Sequence, residues 1–258
     1  MLKFVSHLDK VMGRCRRKGR LLLLFDFDGT LSPIVDHPYK ARLPLPWRRR
    51  LRNLSRHPRI TVGVVTGRVI SDIRRRVGVP GLILAANHGY EVWRGGRCVF
   101  RKGGRFRTAM KALGRAMAKE LGSFPGVIVE SKEYSVAVHY RMVSSSEKPA
   151  VRSKALRIAM PYCRRHRWEV MRGKQLIEVR PADSWNKGKA VMWIWQRYAP
   201  SALPVYFGDD TTDEDACRAL GRRGVTVRVG QRRGSLARYV VNNLDEIRTW
   251  VRWLLEEF

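Results

Sequence analysis

The feature that most constrains the fold is a short, wholly apolar run that ends in two aspartates. Residues 21–30 read LLLLFDFDGT, so five apolar residues lead directly into Asp26 and Asp28, and Gly29 follows. A run this short, with no polar residue to give it an exposed face, is typical of a strand buried on both sides in a parallel sheet. Ligands of such sheets bind at the carboxyl ends of the strands. We therefore expect both carboxylates at an open edge of the sheet, where Gly29 lets the chain turn away.

The two aspartates are close enough in the chain that their negative charges need compensation. Side chains along a strand repeat every two residues, so Asp26 and Asp28 start out on the same side. Two neighbouring carboxylates repel each other, and a bound cation or a shared proton removes that conflict. A strand followed by an acidic turn is the alternative without function. The order of residues in this string favours a functional site.

Composition limits the classes of protein that this chain can represent. It has 258 residues, of which 44% are hydrophobic, as in a globular protein, and no apolar run is long enough to cross a bilayer. The basic first twenty residues lack the apolar core of a secretion signal, so we expect a cytoplasmic protein with no membrane partner. The four cysteines have no metal-binding or disulfide spacing. The oligomeric state stays open, with a monomer favoured.

The formal net charge of +30 has two interpretations. It could reflect a nucleic-acid partner, or an anionic small substrate. The arginines are spread along the whole chain, and no zinc-finger, single-strand-binding or ribonucleoprotein motif accompanies them. We therefore expect non-specific polyanion binding at low salt but no dedicated nucleic-acid partner.

Strand and helix patterns alternate at both ends of the chain but not in the middle. Short apolar runs separated by helical spacing predict a parallel sheet with helices on its faces. From residue 91 onward the sequence predicts a hairpin and then two strands for each helix. An insertion between two halves of one sheet explains this order, because neither half has enough strands alone. The predicted fold class is α/β, with a Rossmann-like core formed by residues 1–90 and 182–258 and an inserted α+β domain at 91–181.

A second acidic cluster follows another apolar strand. Residues 206–216 read YFGDDTTDEDA, which concentrates five acids in a chain of 52 basic and 22 acidic residues. The amino terminus of a helix favours acids and accounts for Asp213 and the two acids after it. It does not account for Asp209 and Asp210, which come directly after the strand. We therefore predict an oxygen-rich site for a divalent cation.

The motifs, in this order, resemble those of a known superfamily. The DFDGT string, Thr66 after the second strand, Lys187 at a helix start and the GDD string at 208–210 resemble the four motifs of the haloacid dehalogenase superfamily of phosphatases. Longer strings narrow the resemblance to the trehalose-phosphate phosphatases, namely VTGR, NHG, SVAVHYR, GKQLIEVRP, NKG and GDDTTDEDA. The resemblance covers nearly the whole chain from residue 21 onward. It implies a core of the haloacid dehalogenase type with the inserted domain as a cap.

The resemblance implies a role for each catalytic motif. Asp26 would attack phosphorus as the nucleophile, and Asp28 would protonate the departing sugar oxygen and later deprotonate water. Thr66 would hydrogen-bond the phosphoryl oxygens and Lys187 would neutralise their charge. A helix cap for Thr66 and a surface amine for Lys187 are the ordinary alternatives.

The resemblance also implies a magnesium site and a set of substrate contacts. Mg²⁺ would bind the Asp26 carboxylate, the Asp28 backbone carbonyl and Asp209, with Asp210 and Asp213 in or just outside its shell. The residues that would face the sugar or its phosphate are Glu130, Lys174 and Glu178, with Asn87, His88, Arg141, Arg180 and Asn186 as further candidates. His88 and His139 could contact the substrate or be satisfied interior groups, and the interior interpretation is favoured.

The implied activity is magnesium-dependent hydrolysis of trehalose 6-phosphate to trehalose and phosphate through an aspartyl-phosphate. A phosphatase of the same superfamily that acts on sucrose phosphate or a glycosyl-glycerate phosphate is the alternative. A nucleic-acid-binding protein, suggested by the charge, is the alternative from another class.

Overall fold

The computed structural model describes residues 1–35, 38–173, 175–182, 185–231 and 233–258. The chain divides into two compact units, the first formed by Met1–Phe100 with Trp185–Phe258 and the second by Arg101–Ser184. Among the described residues, no helix is both long enough and apolar enough to cross a bilayer.

The strands and helices alternate in the first unit and are grouped differently in the second. In chain order the described strands are β1 (Leu2–Lys3), β2 (Leu21–Phe25), β3 (Ile60–Val65), β4 (Ile83–Ala86), β5 (Glu91–Arg94), β6 (Arg97–Arg101), β7 (Ile128–Ser131), β8 (Val136–His139), β9 (Trp168–Gly173), β10 (Leu176–Pro181), β11 (Leu203–Gly208), β12 (Val225–Val229) and β13 (Tyr239–Val241). The α-helices are α1 (Leu8–Lys18), α2 (Leu45–Arg56), α3 (Ile70–Val77), α4 (Arg107–Leu121), α5 (Lys148–His166), α6 (Lys187–Tyr198), α7 (Asp213–Leu220) and α8 (Arg248–Glu256).

The large sheet of the first unit has the strand order β1-β13-β12-β11-β2-β3-β4-β5-β6. Neighbours are parallel from β1 to β4 in this order, whereas β5 runs antiparallel to β4. The chain leaves β2 toward β3, but the strand on the other side of β2 is β11, which comes from the second half of the sequence. The strand order therefore reverses between β2 and β11, and such a switch point opens a crevice at the carboxyl ends of its strands.

The alternating side chains of β2 supply a core to both faces of this sheet. Leu21, Leu23 and Phe25 pack in one cluster with α1, α2, α3 and α8, whereas Leu22 and Leu24 pack in another with α6 and α7. All five side chains are buried. The strand is apolar along its whole length because neither face meets water, which confirms the predicted parallel sheet covered on both sides.

The second unit is an antiparallel sheet with helices on one face. Its strand order is β7-β8-β10-β9, and α4 and α5 pack against the side chains of Val136, Val138, Ile177 and Val179. The residues that alternate with these four therefore line the opposite face of the sheet.

The hairpin of β5 and β6 lies in a different unit from the one that the sequence predicts. We expected the inserted domain to begin at residue 91, but β5 pairs with β4, so the hairpin extends the large sheet and the second unit begins at Arg101. The second unit ends at residue 184, whereas the sequence pattern predicts that the inserted domain ends at 181. The turn at Gly95 and Gly96 identifies a hairpin, but turn residues do not determine which sheet the hairpin joins.

Candidate active site

Asp26 lies at the switch point of the large sheet, one residue beyond β2. It is 4% exposed, and its Oδ1 accepts a hydrogen bond from Lys187 Nζ at 2.8 Å. Lys187 is the first residue of α6 and also donates to Asp213 Oδ1 at 2.8 Å. A buried charge is stable only when it is paired, and the Lys187 ammonium is paired twice.

Burial and mutual contact set the electrostatics of this cluster. Burial raises the pKa of Asp26, Lys187 opposes that effect, and Asp213 adds to it. Burial alone would lower the pKa of Lys187, but the two carboxylates outweigh it and the pKa is raised. Burial would raise the pKa of Asp213, but contacts with Lys187 and Tyr206 outweigh it and the pKa is lowered. Lys187 and Asp213 are therefore charged, and Asp26 is the group that needs further positive charge to stay ionised.

The Asp213 carboxylate accepts four hydrogen bonds and so connects Lys187 with the second acidic cluster. Its Oδ1 accepts from Lys187 and from the Tyr206 hydroxyl at 2.6 Å. Its Oδ2 accepts from the backbone N–H groups of Asp209 and Asp210 at 3.0 and 2.8 Å. Because each oxygen already has two donors, Asp213 orients Lys187 and shapes the loop that carries Asp209. Sequence reasoning missed Tyr206, because a tyrosine in a strand is ordinary.

The acidic cluster has the donors that a hard divalent cation requires. Carboxylate oxygens of Asp26, Asp209 and Asp213 lie within 4.8 Å of one another. Gly29 has a φ of +76°, and a Cβ at this position would overlap the Asp209 carboxylate. Burial raises the pKa of Asp209 to about 6, which Thr30 opposes by donating to Oδ1 at 2.9 Å. Oxygen donors that repel each other fit Mg²⁺, and the occupied oxygens of Asp213 leave Asp26 and Asp209 as the better side-chain ligands.

Asp210 and Asp28 were also predicted to take part in metal binding, and both stay predictions. The Asp210 side chain is exposed, and its backbone N–H donates to Asp213 Oδ2. The predicted ligand from Asp28 is its backbone carbonyl rather than its carboxylate.

The Asp28 carboxylate has a different environment from that of Asp26. Its side chain is 48% exposed, and both oxygens accept from Arg68, Oδ2 from Nε at 2.7 Å and Oδ1 from Nη2 at 2.6 Å. A bidentate pair of this kind fixes the plane of the carboxylate. The two aspartates are therefore unlike in burial and in partner, although they are two residues apart.

The loops after β3 and β4 place three further candidates next to each other. Thr66 is buried, its Oγ1 accepts from the Arg68 N–H at 3.2 Å, and its carbonyl accepts from the His88 N–H at 2.8 Å. Asn87 and His88 have left-handed backbone, with φ of +50° and +56°. The Asn87 side chain is buried, and neither atom of its amide has a hydrogen-bond partner within the described residues. A buried amide in this state is a candidate for ligand contact.

Asn186 has a structural role at the start of α6. It is the N-cap, and its Oδ1 accepts from the Lys189 N–H at 3.0 Å. This cap fixes the first turn of the helix that carries Lys187. Its predicted contact with substrate stays a prediction.

In the second unit, several predicted sugar contacts share one face of the sheet. The register pairs Ala137 with Glu130 on one side and with Glu178 on the other, so both carboxylates project from the same face. Arg180 lies two residues beyond Glu178 on that face, and its Nε donates to Glu169 at 2.7 Å. This face is the one opposite α4 and α5.

The remaining candidates of the second unit are less constrained. Arg141 is exposed after β8. His139 Nε2 lies 3.4 Å from Glu130 Oε2, which places the imidazole on the same polar face. Lys174 lies outside the described residues.

Comparison with known proteins identifies the family. A model described as trehalose-phosphatase matches residues 24–241. The chain belongs to the trehalose-phosphatase family. It is 37% identical over 212 residues to the trehalose-phosphate phosphatase of Mycobacterium tuberculosis (strain ATCC 25618 / H37Rv), covering 80% of this chain and 52% of that protein. It is 40% identical over 213 residues to the Mycobacterium avium (strain 104) protein of the same name, covering 77% and 51%. The chain thus spans about half the length of the curated relatives it matches.

Solved structures confirm the predicted fold class for this trehalose-phosphatase family member. A trehalose-6-phosphate phosphatase related protein has a TM-score of 0.75 at 26% identity, covering 91% of this chain and 96% of that one. A haloacid dehalogenase-like hydrolase from Bacteroides thetaiotaomicron has a TM-score of 0.60 at 13% identity, covering 91% and 99%. The second likeness, at this identity, supports the fold alone.

Sequence reasoning also missed Arg228, which holds the acidic loop of this trehalose-phosphatase family member. Arg228 lies in β12 and is 7% exposed. It donates to the backbone carbonyls of Asp209 and Asp210 and to Glu214 Oε1 at 3.1 Å. An arginine between two valines of the strand pattern VTVRV was a signal, because an arginine in a buried strand needs fixed acceptors for its guanidinium.

The site as a whole combines a buried carboxylate, a doubly paired ammonium and an acidic loop at one sheet edge. The carboxylate of Asp26 can act as a nucleophile, and Lys187 can neutralise an anion beside it. The half-exposed Asp28 can exchange a proton with a ligand or with water.

Proposed function

We propose that the chain hydrolyses trehalose 6-phosphate to trehalose and phosphate, with Asp26 as the nucleophile. The observation that carries this proposal is the Asp26 carboxylate buried against Lys187 at the sheet switch point, in a chain of the trehalose-phosphatase family. Attack by Asp26 on phosphorus forms an aspartyl-phosphate and expels the sugar. Water then releases phosphate, so one difficult hydrolysis becomes two displacements.

Three further residues of the first unit serve these displacements. Asp28 gives a proton to the departing sugar oxygen in the first displacement and takes one from water in the second. Its half-exposed position supports that exchange. The Thr66 hydroxyl accepts from the Arg68 N–H and can donate its own proton to a phosphoryl oxygen. Lys187 neutralises the charge that develops on the phosphoryl group.

The acidic cluster fits Mg²⁺, which Asp26 and Asp209 would hold together with the Asp28 carbonyl. Asp210 follows Asp209 in the chain, and the Asp213 carboxylate fixes the loop by accepting from the backbone N–H groups of both residues. When bound, Mg²⁺ supplies positive charge that favours the ionised Asp26 and the phosphoryl group beside it.

The sugar is recognised mainly by the polar face of the second unit. Glu130 and Glu178 project from that face on either side of Ala137, and paired carboxylates are suited to accept hydrogen bonds from sugar hydroxyls. Lys174, Arg141 and Arg180 are further proposed contacts of that unit. The names of the curated relatives support trehalose phosphate as the substrate.

In the first unit, the proposed substrate contacts are Asn87, His88 and Asn186. The buried amide of Asn87, which has no hydrogen-bond partner among the residues that the structure describes, is the strongest of the three. A substrate hydroxyl or phosphoryl oxygen would satisfy its donor.

A phosphate-release screen tests this function. Purified protein with magnesium should release phosphate from trehalose 6-phosphate faster than from sucrose phosphate, glucose 6-phosphate or a glycosyl-glycerate phosphate, and a chelator should stop release. Asp26→Asn serves as the inactive control. Rapid release from another sugar phosphate with none from trehalose 6-phosphate would overturn the substrate, while leaving the Asp26 chemistry in place.

A further inference from the structure

Asp28 is attached to a line of ion pairs that continues into helix α3. Arg68 uses Nε and Nη2 on the two oxygens of Asp28, at 2.7 and 2.6 Å, and uses Nη1 on Asp72 Oδ2 at 2.6 Å. The guanidinium is planar, and its donors have fixed directions. The position of Asp72 therefore influences the plane in which Arg68 can bind Asp28.

Arg68 is held on a further side by an aromatic ring. Its guanidinium carbon lies 5.6 Å from the centroid of the Phe27 ring, and Phe27 is fully buried. Phe27 lies between Asp26 and Asp28 in the chain, so this contact connects Arg68 to the backbone that carries both acids.

Asp72 is anchored at a second point. Its Oδ2 also accepts from Arg76 Nε at 2.7 Å, and Arg76 Nη1 donates to the backbone carbonyls of Tyr39, at 3.0 Å, and Ala41. The side chains of Arg68, Asp72 and Arg76 are only 12%, 19% and 10% exposed. Water therefore competes weakly for these contacts, and the line of ion pairs has a defined geometry.

Of the four side chains of Asp28, Arg68, Asp72 and Arg76, that of Asp28 is the most exposed, at 48%. An ion pair with a half-exposed carboxylate contributes little to stability, so fixing its direction is the larger consequence of the Arg68 contact. Proton transfer depends on that direction, because the carboxylate must meet the departing oxygen at hydrogen-bond distance.

We propose that Arg68 and Asp72 are positioning residues that set the direction in which Asp28 transfers its proton to the leaving group. This inference rests on the proposed function, in which Asp28 is the proton carrier. Arg68 acts on Asp28 directly, and Asp72 acts through Arg68.

The test compares two leaving groups. The sugar alkoxide of trehalose 6-phosphate needs a proton to depart, whereas the phenolate of p-nitrophenyl phosphate departs without one. The ratio kcat/KM covers the steps up to departure of the leaving group, so it does not include the later hydrolysis of the aspartyl-phosphate. Loss of a positioned proton donor therefore lowers kcat/KM for the sugar ester selectively.

The variants are Arg68→Lys and Asp72→Asn, with Arg75→Gln as the matched control. Arg75 also donates to Asp72, at 3.2 Å, but its side chain is 78% exposed and does not contact Asp28. General acid catalysis as a whole contributes about 10²–10⁴-fold to the rate. We therefore expect kcat/KM of Arg68→Lys and Asp72→Asn to fall about tenfold or more for trehalose 6-phosphate and less than about threefold for p-nitrophenyl phosphate. Arg75→Gln should change neither value.

The outcomes separate this inference from the function on which it rests. Asp28→Asn removes the proposed proton donor itself. It therefore shows how far kcat/KM falls for trehalose 6-phosphate relative to p-nitrophenyl phosphate when no donor is present. If Asp28→Asn is selective but Arg68→Lys and Asp72→Asn lose equally on both substrates, the positioning role is overturned and the proton role of Asp28 stands. If Asp28→Asn itself shows no selectivity, the proposed role of Asp28 fails. Thermal unfolding of each variant establishes that it is folded, and Asp72→Asn carries the test if Arg68→Lys does not fold.

Discussion

Asp26 and Asp28 have nearly the same place in the sequence and different neighbours in the structure. Asp26 is buried against Lys187, whereas Asp28 is half exposed against Arg68. The strand pattern predicts both acids at the sheet edge because it depends only on local alternation. It cannot predict the partner of Asp26, since Lys187 is 161 residues away and is brought there by the return of the chain to the same sheet.

Replacing Asp26 by asparagine should abolish turnover and preserve the fold. The substitution keeps the side-chain volume and removes the proposed nucleophile, and such a loss costs about 10⁴-fold or more in kcat. Phosphate release from trehalose 6-phosphate measures turnover, and circular dichroism checks the fold. Asp215→Asn is the control, because Asp215 lies in the second acidic string but pairs with Arg218 at the surface. Undiminished turnover in the Asp26 variant would exclude the covalent route.

The hydroxyl of Tyr206 should contribute to stability as well as to the site. It donates to the buried Asp213 at 2.6 Å, so Tyr206→Phe leaves that carboxylate with one donor fewer. We expect the free energy of unfolding to fall by about 1–3 kcal/mol, the usual effect of removing a hydrogen bond to a charged group. Urea unfolding at pH 7 measures the change.

Tyr239→Phe is the matched control for that measurement. Tyr239 is also buried, but its hydroxyl has no hydrogen-bond partner within the described part of the chain. Removing an unsatisfied hydroxyl should leave stability unchanged or raise it slightly. Equal losses in the two variants would contradict the importance of the Tyr206 contact with Asp213.

Among the secondary-structure elements, strands of five or six residues are predictable from the sequence, and edge strands of two or three residues are not. The residue patterns of 60–65 and 225–229 each predict a strand, and the structure has strands at Ile60–Val65 and Val225–Val229. The strands Leu2–Lys3 and Tyr239–Val241 were not predicted, because two or three residues are too few to show a period. They form where the edge of the large sheet offers unpaired backbone groups, which is a property of the whole fold.

Helix α3 carries an acid whose contribution to stability depends on pH. Burial would raise the pKa of Asp72, but hydrogen bonds from Arg76 and Arg68 outweigh burial, and the pKa lies below its ordinary value of 3.8. A carboxylate with a lowered pKa in the folded state stabilises the fold above the unfolded pKa. That contribution is lost as the pH falls below 3.8 and through the folded-state value.

Asp72→Asn should therefore destabilise the protein at neutral pH and much less in acid. We expect a loss of about 1–3 kcal/mol in the free energy of unfolding at pH 7, because the partly buried donors of Arg68 and Arg76 lose a charged acceptor. Urea unfolding of wild type and variant across a pH series measures the difference, which should shrink as the pH falls below 3.8. Asp245→Asn is the control, because Asp245 lies in an exposed ion pair at 3.9 Å and its replacement should change the free energy of unfolding at pH 7 by less than about 1 kcal/mol. A difference that is the same at all pH values would contradict the assignment.

At the scale of the whole molecule, the charge of +30 has to be reconciled with an acidic site. Arg68 and Arg76 are partly buried and Arg228 is buried, and all three contact carboxylates and carbonyls, so part of the arginine content is explained by the structure of the first unit. The family and fold were predictable from motifs and alternation. The division at residue 101 was not, because it depends on which sheet the β5–β6 hairpin joins.

The remaining basic surface should bind polyanions without selectivity and only at low salt. Binding through phosphate contacts alone falls linearly on a logarithmic scale with salt, by about 10³–10⁵-fold between 50 and 200 mM for six to ten contacts. Fluorescence anisotropy with two unrelated DNA duplexes and with heparin across a salt series measures this dependence. We expect the two duplexes to bind alike and to dissociate at physiological salt, with trehalose 6-phosphate hydrolysis at that salt unaffected by DNA. Selective binding of one duplex that persists there would instead require a dedicated nucleic-acid site, and the charge would then have a function separate from the proposed phosphatase chemistry.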